Sequence, residues 1–170
     1  MIQECSLLKV LEVFFKEPTR IHFIREIARE ITLAQTSVRN HINELKKENL
    51  VTEKEFKPFN GLVANRDNEK FLFYKQVYNL YSLFELKQKI ISKIAPKAII
   101  LFGSYQRGED IEGSDIDILI ISKIKKEIDL SKFEKQLKRG IHLTFVKDMN
   151  DLDMHIRNNV KNGVVLYGSR

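Results

Sequence analysis

The sequence predicts an α+β fold in two parts, an N-terminal part of helices followed by a hairpin and a C-terminal part built around a small sheet. Apolar residues recur with helical spacing as far as residue 48, and apolar and charged residues then alternate from Leu50 to Lys57. After residue 97, two short apolar runs have the length of buried strands. With 170 residues, 43% of them hydrophobic, the chain is long enough for one large or two small domains and is not disordered.

Composition limits the classes of function. The formal net charge of +6 favours polyanionic partners such as nucleic acids or nucleotides. No apolar run approaches the roughly 18 residues that a membrane-spanning helix needs, and no basic segment precedes an apolar one at the N-terminus. The single cysteine excludes an internal disulfide, and the four histidines lack the spacing of a zinc site. We therefore expect a soluble, cytoplasmic protein without a membrane partner or a structural metal.

The N-terminal part is predicted to contain three helices and a hairpin. Its elements are helices over residues 3–16, 22–30 and 35–48 and strands over 50–57 and 62–65. Pro18 ends the first helix, and the third turns Val38, Ile42 and Leu45 inward. A turn over 58–61 joins the two strands.

Two stretches flank the tight turn, Ile27-Ala28-Arg29-Glu30 before it and the run from Val38 to Val51 after it. With these stretches, the order of elements over about residues 5–75 resembles the winged helix-turn-helix of prokaryotic transcription regulators. The resemblance implies that the third helix enters the major groove of DNA and that the hairpin contacts phosphates. Its candidate base-reading residues are Gln35, Thr36, Ser37, Arg39, Asn40 and Asn43, and its candidate phosphate contacts are Lys54, Lys57 and Arg66. Ala34 departs from the pattern, because such helices usually begin after a Ser or Thr cap. The alternative is a winged helix that contacts protein instead of DNA.

A helical segment rich in aromatic residues, predicted from Asn68 to Ile94 with a break near Tyr81, follows the hairpin. Its apolar stripe is wide, so the segment must be covered on more than one side. Either one domain covers it entirely, or it joins two domains and also contacts a second copy of the chain in a homodimer. We divide the chain into a winged helix-turn-helix over 1–67, connecting helices over 68–95 and a second domain over 96–170.

The residues that carry chemistry follow Pro96. Gly103-Ser104 ends an apolar run, and a glycine beside a hydroxyl in such a turn suits the binding of phosphate oxygens. Ten residues later, Asp115-Ile116-Asp117 precedes four consecutive apolar residues. Because side chains alternate along a strand, the two carboxylates lie on one face at the start of a buried strand. Two like charges there favour a bound cation, and Mg²⁺ takes one or two carboxylates together with substrate phosphates.

Arg107-Gly108-Glu109 lies between Gly103-Ser104 and the two aspartates, and Ser114 precedes the first aspartate. This spacing resembles the signature of the polymerase-beta-like nucleotidyltransferase superfamily. The likeness is greatest to its minimal nucleotidyltransferases, of which kanamycin nucleotidyltransferase is a larger relative. It covers about residues 96–168, with helices expected over about 130–138 and 149–161 and a strand over 141–146. It implies a small mixed sheet and Mg²⁺-dependent transfer of NMP from an NTP, such as ATP, to a hydroxyl that can belong to a protein. It also implies residue roles: a triphosphate site at Gly103, Ser104, Arg107 and Ser114, and two metal ions held by Asp115 and Asp117.

The superfamily places a third carboxylate on the following strand, where this chain has His142 in the run Ile141-His142-Leu143-Thr144. A neutral imidazole is a poor Mg²⁺ ligand but a competent general base near neutral pH. Three alternatives stay open at this point. His142 replaces the acid functionally, an acid such as Glu109, Asp110 or Asp148 reaches the site, or the domain binds nucleotide without transferring it. The leading function is that of an enzyme; the rivals are a DNA-binding regulator that senses nucleotide and a non-enzymatic interaction protein.

Overall fold

A computed structural model describes residues 5–58 and 60–169 of the chain. The chain forms two compact units that divide between Lys75 and Gln76. No helix among the described residues is both long enough and apolar enough to cross a membrane.

The first unit contains the predicted helices and hairpin. Its elements are α1 (Ser6–Lys16), α2 (Ile24–Glu30), α3 (Gln35–Lys47), β1 (Val51–Lys54) and β2 (Gly61–Ala64). The strands pair antiparallel, with Val51 opposite Ala64. Buried side chains at helical spacing, among them Phe14 on α1 and Ile42 on α3, form the core of this unit. The predicted helix start at residue 3 and Phe59 of the predicted turn lie outside the described residues.

Two helices follow the hairpin, α4 (Glu69–Ser82) and α5 (Phe84–Ile94). The division between the units falls within α4, and the predicted break near Tyr81 corresponds to the end of α4 at Ser82. Several large apolar side chains of this segment are exposed, namely Phe73, Tyr74, Val77, Tyr81 and Phe84. The homodimer contact through residues 68–94 stays a prediction.

The second unit is built on a four-stranded mixed sheet. Its elements after α5 are β3 (Ala98–Phe102), α6 (Gly103–Arg107), β4 (Ile116–Ile121), α7 (Ser131–Leu137), β5 (Ile141–Val146), α8 (Met154–Lys161) and β6 (Val164–Gly168). The strand order is β5-β4-β3-β6, in which β3 runs antiparallel to both neighbours and β4 runs parallel to β5. This mixed sheet in an α+β unit agrees with the predicted fold class of the C-terminal part.

Both faces of the sheet are covered, which explains the uninterrupted apolar runs of its central strands. One face packs against α5 and α7 through side chains that include Ile90 and Phe133. The other packs against the segment that contains Val160 of α8 and the buried Leu152. Every residue of β3 is buried as a result.

Two local elements differ from the sequence prediction. Helix α6 was not predicted, because five residues are too few to show a helical period. The helix predicted over 149–161 is wrong in extent: a 3₁₀ turn at Met149–Asp151 precedes α8, and Leu152 between them is extended. The physical reason is that Asp148 caps the short turn by accepting a hydrogen bond from the backbone N–H of Asn150 at 3.0 Å, while Leu152 is buried against the sheet.

Candidate active site

The site begins where β3 ends and the chain turns into α6. In the register of β3 with β4, Phe102 lies opposite Asp117, so Gly103 lies beside the Asp117 carboxylate. Gly103 has φ +80°, a backbone conformation that glycine adopts without steric cost. A Cβ atom at this position would also come 2.7 Å from Oδ2 of Asp117. Glycine is therefore required here both for the turn and for the approach of the carboxylate.

A second glycine, Gly140, leaves room for the carboxylate of Asp115 just before β4. A Cβ atom on Gly140 would lie closer to Oδ1 of Asp115 than real Cβ contacts allow. The backbone N–H of Ile116 donates to the carbonyl of Gly140 at 2.8 Å, which fixes the chain next to Asp115. Sequence reasoning missed Gly140, because only the pairing of β4 with β5 brings it to Asp115.

His142 lies next to Asp117 on the neighbouring strand. The parallel register pairs Asp117 with His142, and residues paired in this way point to the same face of a sheet. The imidazole is exposed, Asp115 is exposed and Asp117 is half-buried. The structure thus brings together Gly103, both aspartates and the histidine at one end of the central strands.

The electrostatics of this group favour a cation. Burial raises the pKa of Asp117; nearby His142 lowers this pKa and the like charge of Asp115 raises it. No three His, Cys, Asp or Glu side chains in the described part of the chain are grouped so that they could hold a metal ion by themselves. The donor set is therefore two carboxylates, which fits Mg²⁺, an ion commonly bound by one or two carboxylates and completed by substrate phosphates and water.

The three other predicted nucleotide-binding residues lie close to these carboxylates in the chain. Ser104, the second residue of α6, is half-buried, and its hydroxyl has no hydrogen-bond partner among the described residues. The exposed Arg107 ends α6, and its Nε donates to Oε2 of Glu109 at 2.6 Å. Oγ of Ser114 accepts a hydrogen bond from the backbone N–H of Ile111 at 3.0 Å. This hydrogen bond therefore closes the turn that immediately precedes Asp115.

Of the acids considered as replacements for a third carboxylate, Asp110 is excluded by its surroundings. Its side chain is completely buried and pairs with Arg139, at 3.1 Å between Nη2 and Oδ2. The prediction that Asp110 could reach the site is therefore wrong. Asp148 caps the 3₁₀ turn described above, and Glu109 accepts from Arg107. His142 is the side chain that the register places beside Asp117.

Tyr105 of α6 is a further titratable group near the site, but it is buried. Burial raises the pKa of Tyr105 to about 12, and its hydroxyl lies 2.9 Å from Oγ of Ser82. The phenol stays protonated at neutral pH, so it is not a candidate base.

In the first unit, the predicted DNA contacts occupy one helix and the hairpin. Of the predicted contacts on α3, five are exposed: Gln35, Thr36, Arg39, Asn40 and Asn43. Ser37 is half-buried, on the same flank of α3 as His41, whose Nε2 lies 2.8 Å from Oγ of Ser6. Lys54, Lys57 and Arg66 are exposed on or after the strands.

A groove of about 650 Å³ runs along this side of α3. It is lined by cationic and amide side chains, including Arg25, Gln35, Arg39, Asn43 and Lys46. Sequence reasoning missed Arg25, because its place beside α3 depends on the packing of α2. The groove lining has three cationic side chains against one acidic one, Glu53, which pairs with Lys46, and it also includes the apolar residues Phe23, Ile24, Ile42 and Leu62. A net positive charge is one feature of surfaces that contact nucleic acid.

The second unit thus combines a mixed sheet with a glycine turn beside two carboxylates at the start of β4. Residues 84–170, just over half of the chain, match the sequence family described as nucleotidyltransferase domain. The chain therefore belongs to the nucleotidyltransferase domain family. It is similar to the protein named "Putative protein adenylyltransferase" of Methanocaldococcus jannaschii, with 38% identity over 90 residues that cover 48% of this chain and 87% of that protein.

Proposed function

We propose that this protein is a Mg²⁺-dependent nucleotidyltransferase that transfers AMP from ATP to a hydroxyl group of a protein. The observation that carries the proposal is the register that sets Gly103, Asp117 and His142 side by side, with Asp115 two residues before Asp117. Family membership supports nucleotidyl transfer in general. The name of the Methanocaldococcus jannaschii relative supports ATP as the nucleotide and a protein as the acceptor.

The residues have separate roles in this proposal. The backbone at Gly103 and the hydroxyl of Ser104 bind phosphate oxygens of the nucleotide, with Arg107 adding positive charge and Ser114 holding the loop before Asp115. Asp115 and Asp117 would hold the divalent metal, which when bound neutralises charge on the phosphates and on the entering and leaving oxygens. A bond forms between the acceptor oxygen and the α-phosphorus, and the bond from that phosphorus to pyrophosphate breaks. His142, exposed beside Asp117, takes the proton of the acceptor hydroxyl.

The position of the radiolabel tests this proposal directly. We expect purified full-length protein with Mg²⁺ to attach label to a protein in a cell lysate when ATP carries ³²P in the α-phosphate. Adding the protein should not increase labelling when ³²P is in the γ-phosphate, because that phosphate leaves with pyrophosphate. An increase over the lysate alone with γ-³²P would indicate a kinase, and no increase with any α-labelled NTP, with Mg²⁺ or Mn²⁺, would refute nucleotidyl transfer to these acceptors.

A second candidate function is a DNA-binding regulator whose nucleotidyltransferase domain binds nucleotide without catalysis. The observation that favours it is His142, since an imidazole occupies the position beside Asp117 where the superfamily has its third acid. The order of helices and hairpin in the first unit, which we propose to be a winged helix-turn-helix, supports DNA binding in either case. The two functions differ in whether bound ATP is consumed.

We expect substitutions on α3 and on the hairpin to affect DNA binding differently. Arg39→Ala and Asn40→Ala should weaken specific binding more than non-specific binding, because both side chains are exposed on the proposed recognition helix. Lys54→Ala should weaken both and reduce the salt slope of log K by about one unit, as expected for one lost phosphate contact. Titrations of genomic fragments at several salt concentrations measure these effects.

Lys93→Ala is the matched control for the DNA titrations. Lys93 is an exposed lysine on α5 in the second unit, so this variant loses the same charge outside the proposed surface. Equal losses in the Lys54 and Lys93 variants would contradict a hairpin contact. Failure of the full-length protein to bind any fragment at low salt would leave the first unit as a protein-contact module.

A further inference from the structure

A buried polar cluster formed by Asn79, Asp110 and Arg139 lies in the second unit and is not used by the chemistry above. Oδ1 of Asp110 accepts a hydrogen bond from Nδ2 of Asn79 at 2.8 Å. Oδ2 of Asp110 accepts from Nη2 of Arg139 at 3.1 Å and from Nε at 3.3 Å. Nδ2 of Asn79 also donates to the carbonyl of Tyr105 at 2.8 Å. The cluster thus connects α4, α6, the loop after α6 and the turn before β5.

This cluster holds the two segments between which Asp115 lies. Asp110 belongs to the loop that leads to Asp115, and the hydrogen bonds between Ile111 and Ser114 fix the rest of that loop. Arg139 adjoins Gly140, whose missing Cβ leaves room for the Asp115 carboxylate. The ion pair between Asp110 and Arg139 therefore links the loop that leads to Asp115 with the turn that contains Gly140.

Stability alone does not explain this ion pair. The side chains of Arg139 and Asp110 are 2% and 0% exposed, so both charges are removed from water. A pair of well-packed uncharged side chains commonly stabilises a protein as well as a buried ion pair does, because the ion pair must first overcome desolvation. What the ion pair adds is direction, since guanidinium and carboxylate bind each other in a restricted geometry.

We propose that Asp110 and Arg139, together with Asn79, are positioning residues that hold Asp115 in place for binding the metal and nucleotide. This inference rests on the proposed function, because the importance of Asp115 for transfer is part of that proposal. In this proposal Asp110, Arg139 and Asn79 do not touch the nucleotide and act only by orienting the carboxylate of Asp115.

The test replaces both charges at once in the full-length protein, as Asp110→Asn with Arg139→Met. Because both charges of this pair are removed together, neither is left buried without the other, and we expect the variant to fold. We also expect kcat for label transfer to fall by about ten- to a hundredfold, the size of effect that a small misplacement of a reacting group produces. Amide hydrogen exchange over residues 111–117 should become faster, whereas exchange over 98–102 should not change.

Ile90→Ala is the control for general destabilisation. Ile90 is completely buried on α5 in the core on one face of the sheet, so this variant lowers the melting temperature without altering the ion pair. Faster exchange over 111–117 in the double variant but not in the Ile90 variant supports the positioning role. Unchanged exchange over 111–117 in a folded double variant overturns it, whatever the activity.

Hydrogen exchange also separates this inference from the proposed function. If the wild type transfers no label, the proposed enzymatic function fails while the exchange measurement still decides whether the ion pair holds the loop. If the double variant does not fold, Arg139→Lys provides the second measurement, since it keeps the charge but loses the guanidinium fork. Faster exchange over 111–117 in that variant supports the inference, and wild-type exchange overturns it.

Discussion

Replacing Asp115 and Asp117 together with asparagine is expected to abolish the rise in melting temperature that Mg²⁺ and ATP cause in the wild type. A ligand that binds only the folded state at a concentration about 100 times its Kd stabilises it by about 2.7 kcal/mol. The variant loses the two carboxylates that would hold the metal but keeps their size. Transfer of label should fall by about 10³-fold, because metal-ion catalysis contributes several kcal/mol to such reactions and each 1.36 kcal/mol is a factor of ten.

Without metal, the same variant should be at least as stable as the wild type at neutral pH. The pKa of Asp117 is raised in the folded protein, so the folded state binds this proton more tightly than the unfolded chain does. The resulting stability is present below the unfolded pKa and is lost as the pH rises through the folded pKa. At neutral pH the ionised Asp117 therefore opposes folding, and asparagine removes this effect. Thermal melts in EDTA between pH 3 and 8 measure it.

A matched control keeps the change in charge but moves it away from the site. Asp67→Asn with Asp153→Asn removes two carboxylates that are both exposed, and the Asp153 side chain makes no capping hydrogen bond to α8. This control should keep the full response to Mg²⁺ and ATP. A variant of Asp115 and Asp117 that responds like the control would eliminate the proposed metal site.

The parts of the site that could be predicted are those whose signal is local in the sequence. The apolar runs of β3 and β4 are uninterrupted because both faces of the sheet are covered, and the strand period alone places Asp115 and Asp117 on one face. The position of His142 on the next strand also follows from the superfamily pattern. The parallel register then sets His142 directly beside Asp117.

The parts that could not be predicted depend on packing between distant segments. Nothing in the run Gly108-Glu109-Asp110 distinguishes an exposed acid from a buried one, and Asp110 was therefore a reasonable candidate for the missing carboxylate. It is buried because Arg139, 29 positions later, approaches it in the folded unit. Gly140 is inconspicuous in the sequence for the same reason, since its role depends on how closely Asp115 approaches.

If the absence of a third carboxylate limits transfer, His142→Asp is expected to raise the rate of label transfer by about 10² to 10⁴-fold, the contribution typical of a well-placed general base. The register puts the new carboxylate beside Asp117 on the same face, where the superfamily has its third acid. In EDTA this variant should melt at a lower temperature than the wild type, because a third like charge joins Asp115 and Asp117 and the favourable interaction of His142 with Asp117 is lost. Single-turnover transfer with α-labelled ATP and thermal melts measure the two effects.

His142→Asn separates the alternatives, because asparagine cannot accept a proton near neutral pH and adds no charge. If the absence of a carboxylate limits transfer, this variant should transfer at about the wild-type rate while His142→Asp is faster. If His142 itself is the base, both variants should be slower. If no protein of the series transfers label while all bind ATP through Asp115 and Asp117, the enzyme is excluded and the nucleotide-sensing regulator is supported, because binding then persists without a group to activate the acceptor.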